Sequence, residues 1–459
     1  MNSGIARSVR TFSSVLAVSL VAAFVAPVAI DMALESADIQ TQVSPSAWAQ
    51  TSKKRQKRAL PGISEAFYKK LGKVADRASP PPNSDGTTPE PDYQGALAEL
   101  RKIEKGCEKC NGYEFAQIYN YYGWINYSLE KYDEAIKYYD KVVQQSPLIP
   151  WGLELQVMYT LAQLEFAQER YDNALNRLNR WMKLSETVGA EVYNLKASIC
   201  YQKDDKKCAQ ESINTAVQMI EDKGQIAKES WYNLQRALYL EKEDYRSSLP
   251  ILVKLIRHFP KKSYYQQTAS IYGMLEQDNK QLGLLDATYV MGGLGKEQQL
   301  LNLVYLMIQN EYPYRAAKVL EKGMADKIVK RSERNLETLG KAWGQAQEKR
   351  KAIPVMSEAA KLSDTGDLYG IVMSLYLDID DSKNAIGAGK KALAKGELKR
   401  TGEIHLNIGT AHMDLGEYEK AIESFEEAKK DKRVKRIAEN WLKYAKREYS
   451  RQQQLRENS

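Results

Sequence analysis

The sequence predicts an all-α protein built as an array of similar helical hairpins. The first observation is a small residue, usually alanine, that recurs every 33 to 39 residues apart from one double interval. The second is that aromatic residues and prolines recur in step with it. Two antiparallel helices approach closely only where a small residue removes side-chain bulk, so each recurrence marks a helix crossing. The recurring residues are Ala96, Ala135, Ala174, Ala209, Ser248, Ala317, Ala352, Ala385 and Ala421.

A period near 34 residues with this residue set is typical of tetratricopeptide (TPR) repeats, which stack into a right-handed superhelical solenoid. The clearest repeat begins at Tyr119 and ends at Pro147, with Gly123 and Ala135 at its predicted helix crossing. The segment Glu403–Ala428 shows the same order of small and aromatic residues. Both segments predict a helix, a short turn and a second helix.

The number of repeats follows from the register. We predict about nine full repeats after a half-repeat that precedes Cys107, and a charged C-terminal capping helix from Val434 to about Arg451. The stretch from residue 264 to residue 293 fits least well, because Gln281 stands where the second helix should carry its alanine. A capping helix is expected because the last repeat must cover its apolar face.

The first 49 residues have the features of an export signal. A basic start precedes the apolar stretch Val15–Ile30, and Ala47-Trp48-Ala49 offers the small residues that signal peptidase requires. We expect cleavage after Ala49 and a body in the periplasm; an uncleaved inner-membrane anchor is the alternative. The predicted domains are a signal peptide (1–49), a basic and Pro-rich flexible segment (50–90), the TPR array (91–433), and the capping helix and tail (434–459). Within the second of these, the pattern of residues 63–72 is compatible with a short amphipathic helix.

The chain of 459 residues has a formal net charge of +8, and part of this excess lies in the run from Lys53 to Arg58. Such a run is usually a solvated, disordered segment. It is also the kind of sequence that contacts anionic lipid, peptidoglycan or an acidic partner. A nucleic-acid partner is not expected, because the array's charges are mixed and no nucleic-acid motif accompanies them.

The four cysteines form two local pairs, Cys107 with Cys110 and Cys200 with Cys208. An even number of cysteines at short separations in an exported protein favours disulfides. The second bridge would staple the turn inside one repeat. A shared zinc site is excluded because the pairs lie in separate repeats, and a thioredoxin-like site would need a βαβ context.

A partner is expected on the first helix of each repeat, since these helices line the inner surface of a TPR array. Asn120, Asn194 and Asn233 share one position in the register, where an amide can pair with the backbone of an extended peptide. The alternative is that these asparagines satisfy neighbouring helices or are exposed filler. The predicted binding residues are Asn120, Trp124, Tyr127, Tyr159, Gln163, Phe166, Asn194, Tyr201 and Asn233.

Catalysis and cofactor binding are not expected. The chain has three histidines, and His405 and His412 lie on one predicted helix without a third ligand at a suitable spacing. The glycines of residues 292–296 resemble a phosphate loop, but no strand precedes them. Most of the 29 tyrosines are better explained as core residues of the repeats.

Three segments resemble periplasmic TPR proteins of proteobacteria that are described as candidate components of the TonB energy-transduction system. They are residues 50–72, the sequence SYYQQTASIYGMLEQDNKQL from Ser263, and PYRAAKVLEKGM from Pro313 to Met324. The resemblance covers most of the chain after residue 50. It implies a periplasmic adaptor that assists a TonB–ExbB–ExbD complex in outer-membrane uptake. It carries no set of binding residues over to this sequence.

The sequence thus predicts a non-enzymatic periplasmic scaffold that binds a protein or an extended peptide. The rival hypothesis is an envelope-assembly or cell-division scaffold that contacts peptidoglycan through residues 53–58. An enzyme or a small-ligand receptor would need an enclosed pocket with converging polar groups.

Overall fold

The computed structural model describes residues 57–84 and 86–457, whose regular secondary structure is entirely α-helical. These residues form two compact units that divide between Ile251 and Leu252, within α10 (Tyr245–His258). The first unit contains α1 (Glu65–Ala78), α2 (Tyr93–Lys105), α3 (Gly112–Ser128), α4 (Tyr132–Val143), α5 (Trp151–Ala167), α6 (Tyr171–Leu184), α7 (Ala190–Gln202), α8 (Lys206–Glu221) and α9 (Glu229–Glu241). The second contains α11 (Lys262–Met274), α12 (Asp278–Val290), α13 (Glu297–Gln309), α14 (Pro313–Ala325), α15 (Glu333–Gln345), α16 (Lys349–Leu362), α17 (Asp367–Leu377), α18 (Ser382–Lys395), α19 (Thr401–Asp414), α20 (Tyr418–Ala428) and α21 (Lys435–Glu457).

Within each unit, every helix packs against the next helix along the chain, from α1 to α9 and from α11 to α21. This nearest-neighbour packing is the arrangement of a helical solenoid. In the described residues, the helices from α3 to α20 make nine successive helix-turn-helix pairs, as the sequence period predicts. The all-α repeat fold is therefore confirmed.

The recurring small residues all lie at helix crossings inside the core. Each of the nine, from Ala96 to Ala421, is fully buried, with 0% of its surface exposed. At these positions a larger side chain would push the paired helices apart. The register predicted from the spacing is therefore the register of the structure.

The turns inside the nine pairs share one backbone geometry. One residue of each turn has a positive φ between 56° and 69°, and the next amide donates a hydrogen bond of 2.8–2.9 Å to the carbonyl five residues earlier. This is a Schellman motif, which ends a helix and satisfies its last carbonyls. The residues with positive φ are Glu130, Glu169, Asp204, Glu243, Glu276, Glu311, Gln347, Asp380 and Gly416.

The repeat that fits the pattern least well still forms a hairpin, α11–α12. Its Gln281 stands in place of the expected alanine, and Gly273 of α11 lies opposite. A Cβ atom on Gly273 would come within 2.6 Å of the Gln281 amide nitrogen. The glycine thus provides the space that the glutamine occupies. In this hairpin the small residue at the crossing therefore lies on the first helix and not on the second.

The segment before Cys107 differs from the prediction of a half-repeat and of a flexible segment over residues 50–90. Residues 65–78 form α1, which pairs with α2 into a complete hairpin. The α1 side chains Phe67, Leu71 and Val74 are buried in a core shared with α2 and α3. The proline-rich residues 79–92 are therefore a loop between paired helices, with Arg77 and Asp92 joined at 2.6 Å across its ends.

The C-terminal helix α21 covers the last hairpin. Leu442 and Ala445 are buried with Ala421 and Phe425, and the ring of Trp441 stacks on Phe425 at 6.0 Å. Within the described residues, no helix combines the length and the apolar character needed to cross a membrane.

Candidate functional site

The nine predicted binding residues lie on the first helices of four successive hairpins, all in the first unit. Each is partly exposed, so none is fully buried in the core and none is fully exposed to solvent. Their role in binding stays a prediction. They are Asn120, Trp124 and Tyr127 on α3, Tyr159, Gln163 and Phe166 on α5, Asn194 and Tyr201 on α7, and Asn233 on α9.

Two of the aromatic residues are fixed by the tyrosine that begins the following helix. Tyr127 lies 5.9 Å from Tyr132, and Phe166 lies 6.0 Å from Tyr171, measured between ring centroids. The two pairs are tilted at 58° and 54°, so one arrangement repeats in successive hairpins. Aromatic pairs at this separation stabilise each other by about 0.5–1.5 kcal/mol beyond their burial. The rings are therefore held in fixed positions.

The other two ring contacts reach different helices. Trp124 packs edge-on against Tyr93 of α2 at 6.3 Å and against Tyr121 at 6.2 Å. Tyr159 lies 5.5 Å from Trp181 on α6. Burial raises the pKa of Tyr159 to about 12, so its hydroxyl is neutral at physiological pH and can donate a hydrogen bond. Sequence spacing alone could not show these contacts, because they depend on which helices are neighbours.

The amide side chains give this surface its free hydrogen-bonding capacity. Within residues 57–84 and 86–457, the side-chain amides of Asn120, Gln163 and Asn194 have no hydrogen-bond partner. Each is partly exposed, and each can donate and accept at the same time. Asn233 occupies the register position of Asn120 and Asn194 on α9. This set can pair with the alternating donors and acceptors of an extended peptide backbone.

Tyr201 is in a different situation, because its hydroxyl already donates to Glu241 of α9 at 2.8 Å. The ammonium of Lys206 lies 4.4 Å from the centroid of the Tyr201 ring and 2.8 Å from a carboxylate oxygen of Glu241. These contacts join the α7–α8 hairpin to the next. Tyr201 thus has a structural role that the sequence pattern did not reveal.

A charge network joins the α3–α4 hairpin to the α5–α6 hairpin. Arg177 of α6 makes two hydrogen bonds to Asp140 of α4, at 2.6 and 2.9 Å, and it also lies 3.2 Å from Glu165 of α5. The Glu165 side chain is only 2% exposed. Burial lowers the pKa of Arg177, but its bonds to Asp140 and Glu165 outweigh this and raise the pKa overall. The network is fully paired and has a structural role.

Several carboxylate and imidazole groups in the described part of the chain are buried or half-buried. The buried carboxylates Glu114, Glu154 and Glu165 all have hydrogen-bond or ion-pair partners. His412 contacts Glu417 at 2.6 Å, while burial lowers the pKa of His405. No group of three or more His, Cys, Asp or Glu side chains there could hold a metal ion.

Both cysteine pairs are joined in the structure. Cys107 and Cys110 close the loop between α2 and α3, with their Cα atoms 4.9 Å apart. Cys200 near the end of α7 is joined to Cys208 near the start of α8, with a Cα–Cα distance of 5.7 Å. The second bridge lies across an intra-repeat turn, at the position that the sequence predicts.

The basic run is only partly described, because residues 53–56 lie outside the described residues. Its last member, Arg58, is not a solvated charge: its side chain is 9% exposed and lies 2.6 Å from Glu154. The prediction of a freely solvated run therefore fails at this residue. The reason is a long-range contact, since Arg58 also donates to the carbonyl of Ile149, 91 positions away in the sequence.

The second unit carries a surface groove that the sequence analysis missed. It lies between α12 and α14 and is lined by Tyr289, Tyr314, Lys318 and Lys322. The last three recur every fourth residue and therefore lie on one face of α14. This four-residue spacing could have indicated the shared face from the sequence. The ammonium of Lys351 lies 5.5 Å from the Tyr314 ring centroid.

Comparison with known proteins supports the repeat class. Residues 114–187 and residues 402–430 match models of the tetratricopeptide repeat. Among curated proteins, the comparison found no match.

Several solved structures are similar to parts of this chain. YrrB, described as a TPR protein with an unusual peptide-binding site, is 14% identical, with 41% of this chain and 89% of YrrB covered and a TM-score of 0.31. MamA is 19% identical, with 38% and 94% covered and a TM-score of 0.32. A TPR protein from Parabacteroides merdae is 17% identical, with 56% and 98% covered and a TM-score of 0.26.

The two matching segments show that this chain contains tetratricopeptide repeats, and the repeated helical hairpins have the fold expected of such repeats. TPR proteins generally mediate protein–protein interactions as scaffolds, and the module is typically non-enzymatic.

Proposed function

We propose that this protein is a non-enzymatic scaffold that binds an extended polypeptide segment along α3, α5, α7 and α9. The observation that carries the proposal is the set of unpaired, partly exposed amides of Asn120, Gln163 and Asn194 between aromatic rings with fixed positions. Amides of this kind recognise peptide backbone, and pre-fixed rings lower the entropy cost of binding side chains.

The proposed compartment is the periplasm, and the proposed partner is a component of the TonB system. The export features of residues 1–49 and the presence of joined cysteine pairs support an extracytoplasmic location. The TonB assignment rests on the resemblance of residues 50–72, 263–282 and 313–324. An extended periplasmic segment of TonB, or a domain of ExbB or ExbD, is the expected occupant.

The peptidoglycan hypothesis loses part of its support at Arg58. One of the charges that it needs is buried against Glu154 and is therefore not available to an external polyanion. Sedimentation with purified sacculi, with and without residues 53–56, tests what remains of that hypothesis.

The test of the proposed function is in-cell crosslinking of the tagged protein, followed by mass spectrometry. A double variant, Asn120→Ala with Asn194→Ala, is compared with Asn279→Ala, which removes an exposed asparagine on α12. We expect TonB, ExbB or ExbD to be captured by the wild type and by the control, and to be lost from the double variant. Capture that is equal in all three proteins would contradict the proposed surface, and capture of division proteins instead would contradict the TonB assignment.

A further inference from the structure

The residues before α1 form an extended segment that lies along the starts of two other helices. The side-chain amide of Asn111, just before α3, donates to the carbonyl of Gly62 at 2.7 Å. The backbone amide and hydroxyl of Ser64 both donate to a carboxylate oxygen of Glu114, at 3.0 and 2.9 Å. The array therefore already holds one extended polypeptide segment, and that segment belongs to the chain itself.

At the other end of this segment, Arg58 occupies a site built by the α4–α5 loop and the start of α5. Its guanidinium donates to the carbonyl of Ile149 at 2.8 Å and to the hydroxyl of Ser146 at 3.2 Å. It also lies 2.6 Å from Glu154 and stacks 3.4 Å from the centroid of the Trp151 ring. The Arg58 side chain thus contacts four different groups, and together they form a recognition site for an arginine.

The site is specific for a guanidinium rather than for any positive charge. Stacking on Trp151 requires a planar cation, and the guanidinium fork donates to Ile149 and Glu154 while it stacks. A lysine ammonium has enough donors for both oxygens but is not planar, so it could not also stack on the ring. Glu154 itself is 2% exposed, and Arg58 is the cation that pairs with it in the described residues. Its burial makes the site unfavourable when empty.

We propose that Ser146, Ile149, Trp151 and Glu154 form a binding site for an arginine-bearing extended segment of a partner protein, which the chain fills with its own Arg58 when the partner is absent. The partner's arginine takes the place of the Arg58 side chain. This site is separate from the nine predicted residues and rests on the proposed function only in requiring a polypeptide partner.

The covalent connection explains why the site would be closed at rest. Arg58 lies only a few residues before α1, and α1 is fixed in the core by Phe67, Leu71 and Val74. A segment tethered this closely has an effective concentration of roughly millimolar. A free peptide with the same contacts therefore binds weakly until Arg58 is removed or displaced.

The test uses the purified protein and a fluorescent peptide with the sequence of residues 57–64, KRALPGIS. We expect the Arg58→Ala variant to bind this peptide at least about tenfold more tightly than the wild type, because the tethered competitor is gone. Adding Glu154→Gln to Arg58→Ala is expected to abolish the gain. Adding Glu134→Gln to Arg58→Ala is the matched control, because Glu134 is an exposed glutamate on α4. This double variant is expected to keep the tighter peptide binding of Arg58→Ala. The peptide KAALPGIS is expected not to bind.

Circular dichroism establishes that each variant is folded. If Arg58→Ala does not fold, Arg58→Lys replaces it, because lysine can keep the ion pair with Glu154 but cannot stack on Trp151 and so competes more weakly. A folded variant that binds no more tightly than the wild type overturns the proposal, and so does binding that survives Glu154→Gln. A wild-type protein that dimerises with concentration through Arg58, measured by light scattering, also overturns it in favour of a second copy as occupant.

These outcomes are independent of the proposed function. The Asn120→Ala and Asn194→Ala substitutions are expected to leave binding of KRALPGIS unchanged. If this peptide fails to bind while the wild type still captures its partner through those asparagines, only the arginine site is lost.

Discussion

Gly123 of α3 lies directly against the ring of Tyr139 on α4, so closely that a Cβ atom on residue 123 would be 2.6 Å from the ring. Gly409 and Phe425 repeat this relationship in the α19–α20 hairpin, where the distance would be 2.5 Å. Glycine is needed in both places because the ring fills the volume of the missing side chain. The two helices of these hairpins can therefore approach only if this position stays empty.

The first prediction concerns this contact. Gly123→Ala is expected to destabilise the protein by about 1–3 kcal/mol, because the methyl group overpacks the crossing. Gly387→Ala is the control: it lies within α18 with no atom near its would-be Cβ, and alanine should stabilise that helix by about 1 kcal/mol. Urea denaturation followed by circular dichroism measures both. Equal effects in the two variants would contradict the close approach at Gly123.

The second prediction concerns the repeated turns. Glu130 has a φ of 59°, a conformation in which a side chain crowds the backbone and glycine does not. Glu130→Gly is expected to raise stability by about 0.5–1 kcal/mol, since glycine relieves this crowding at a modest entropy cost. Gly416→Ala at the equivalent turn, where φ is 69°, should lower stability by a similar amount. Thermal melts measure the change in melting temperature for both variants. If both melting temperatures shifted in the same direction, the two turns would not share one backbone geometry.

The third prediction is a pH dependence at Glu114. Burial alone would raise the pKa of this carboxyl, but hydrogen bonds from Ser64 and Asn111 outweigh burial and hold the pKa below its usual 4.5. A lowered folded-state pKa stabilises the fold above about pH 4.5, and this stabilisation is lost as the pH falls through the lower value. Glu114→Gln cannot titrate, so the stability gap to the wild type should narrow on acidification below pH 4.5. Melting curves from pH 3 to pH 7 measure it, and a gap that widens in acid would refute the assignment.

The fourth prediction concerns the charge network between the α3–α4 and α5–α6 hairpins. Arg177→Ala leaves Glu165, which is 2% exposed, without its nearest cation and leaves Asp140 without a partner on α6. The expected cost is about 1–3 kcal/mol, because Arg177 and Asp140 are partly exposed and Arg170 still lies 3.9 Å from Glu165. Arg180→Ala, on the same helix but exposed, should change stability by no more than about 0.5 kcal/mol. Urea unfolding of both variants separates the network from the general effect of removing an arginine.

The fifth prediction concerns the cysteines. Replacing Cys200 and Cys208 together by serine should lower stability by about 2–3 kcal/mol, because the bridge closes a short loop in the unfolded chain. Alkylation followed by mass spectrometry should label no cysteine of the exported protein before reduction and four after it. Labelling without a reductant would show that the pairs are not oxidised in the cell.

Much of the fold could be predicted because it is local. Ala135 and Ala421 mark helix crossings through spacing alone, since each hairpin buries its apolar face against its neighbours. The turn at Gly416 and the positions of Cys200 and Cys208 on consecutive helices follow from the same register. Periodic packing can be recognised in a sequence because every repeat needs a small residue at the same helix crossing.

The remainder depends on contacts between distant residues, which no period encodes. The prolines of residues 80–82 suggested a linker, whereas they lie in a loop between α1 and α2, which pack against each other. Arg58 belonged to an apparently solvated run, but its partner Glu154 lies on a helix that is far away in the sequence. For the same reason, the hydrogen bond of Tyr201 to Glu241 on another helix could not be predicted.

The attachment of Arg58 to the α4–α5 loop has a mechanical consequence. If tension is applied to the chain ahead of residue 57, the load first meets the guanidinium contacts with Ile149 and Glu154, before it reaches α1. The contacts of Gly62 with Asn111 and of Ser64 with Glu114 bear the load next, so the α1–α2 hairpin is shielded until these contacts yield as well. Pulling from the N-terminal side would thus release one side chain as a discrete early event, and the hairpins would unravel only afterwards.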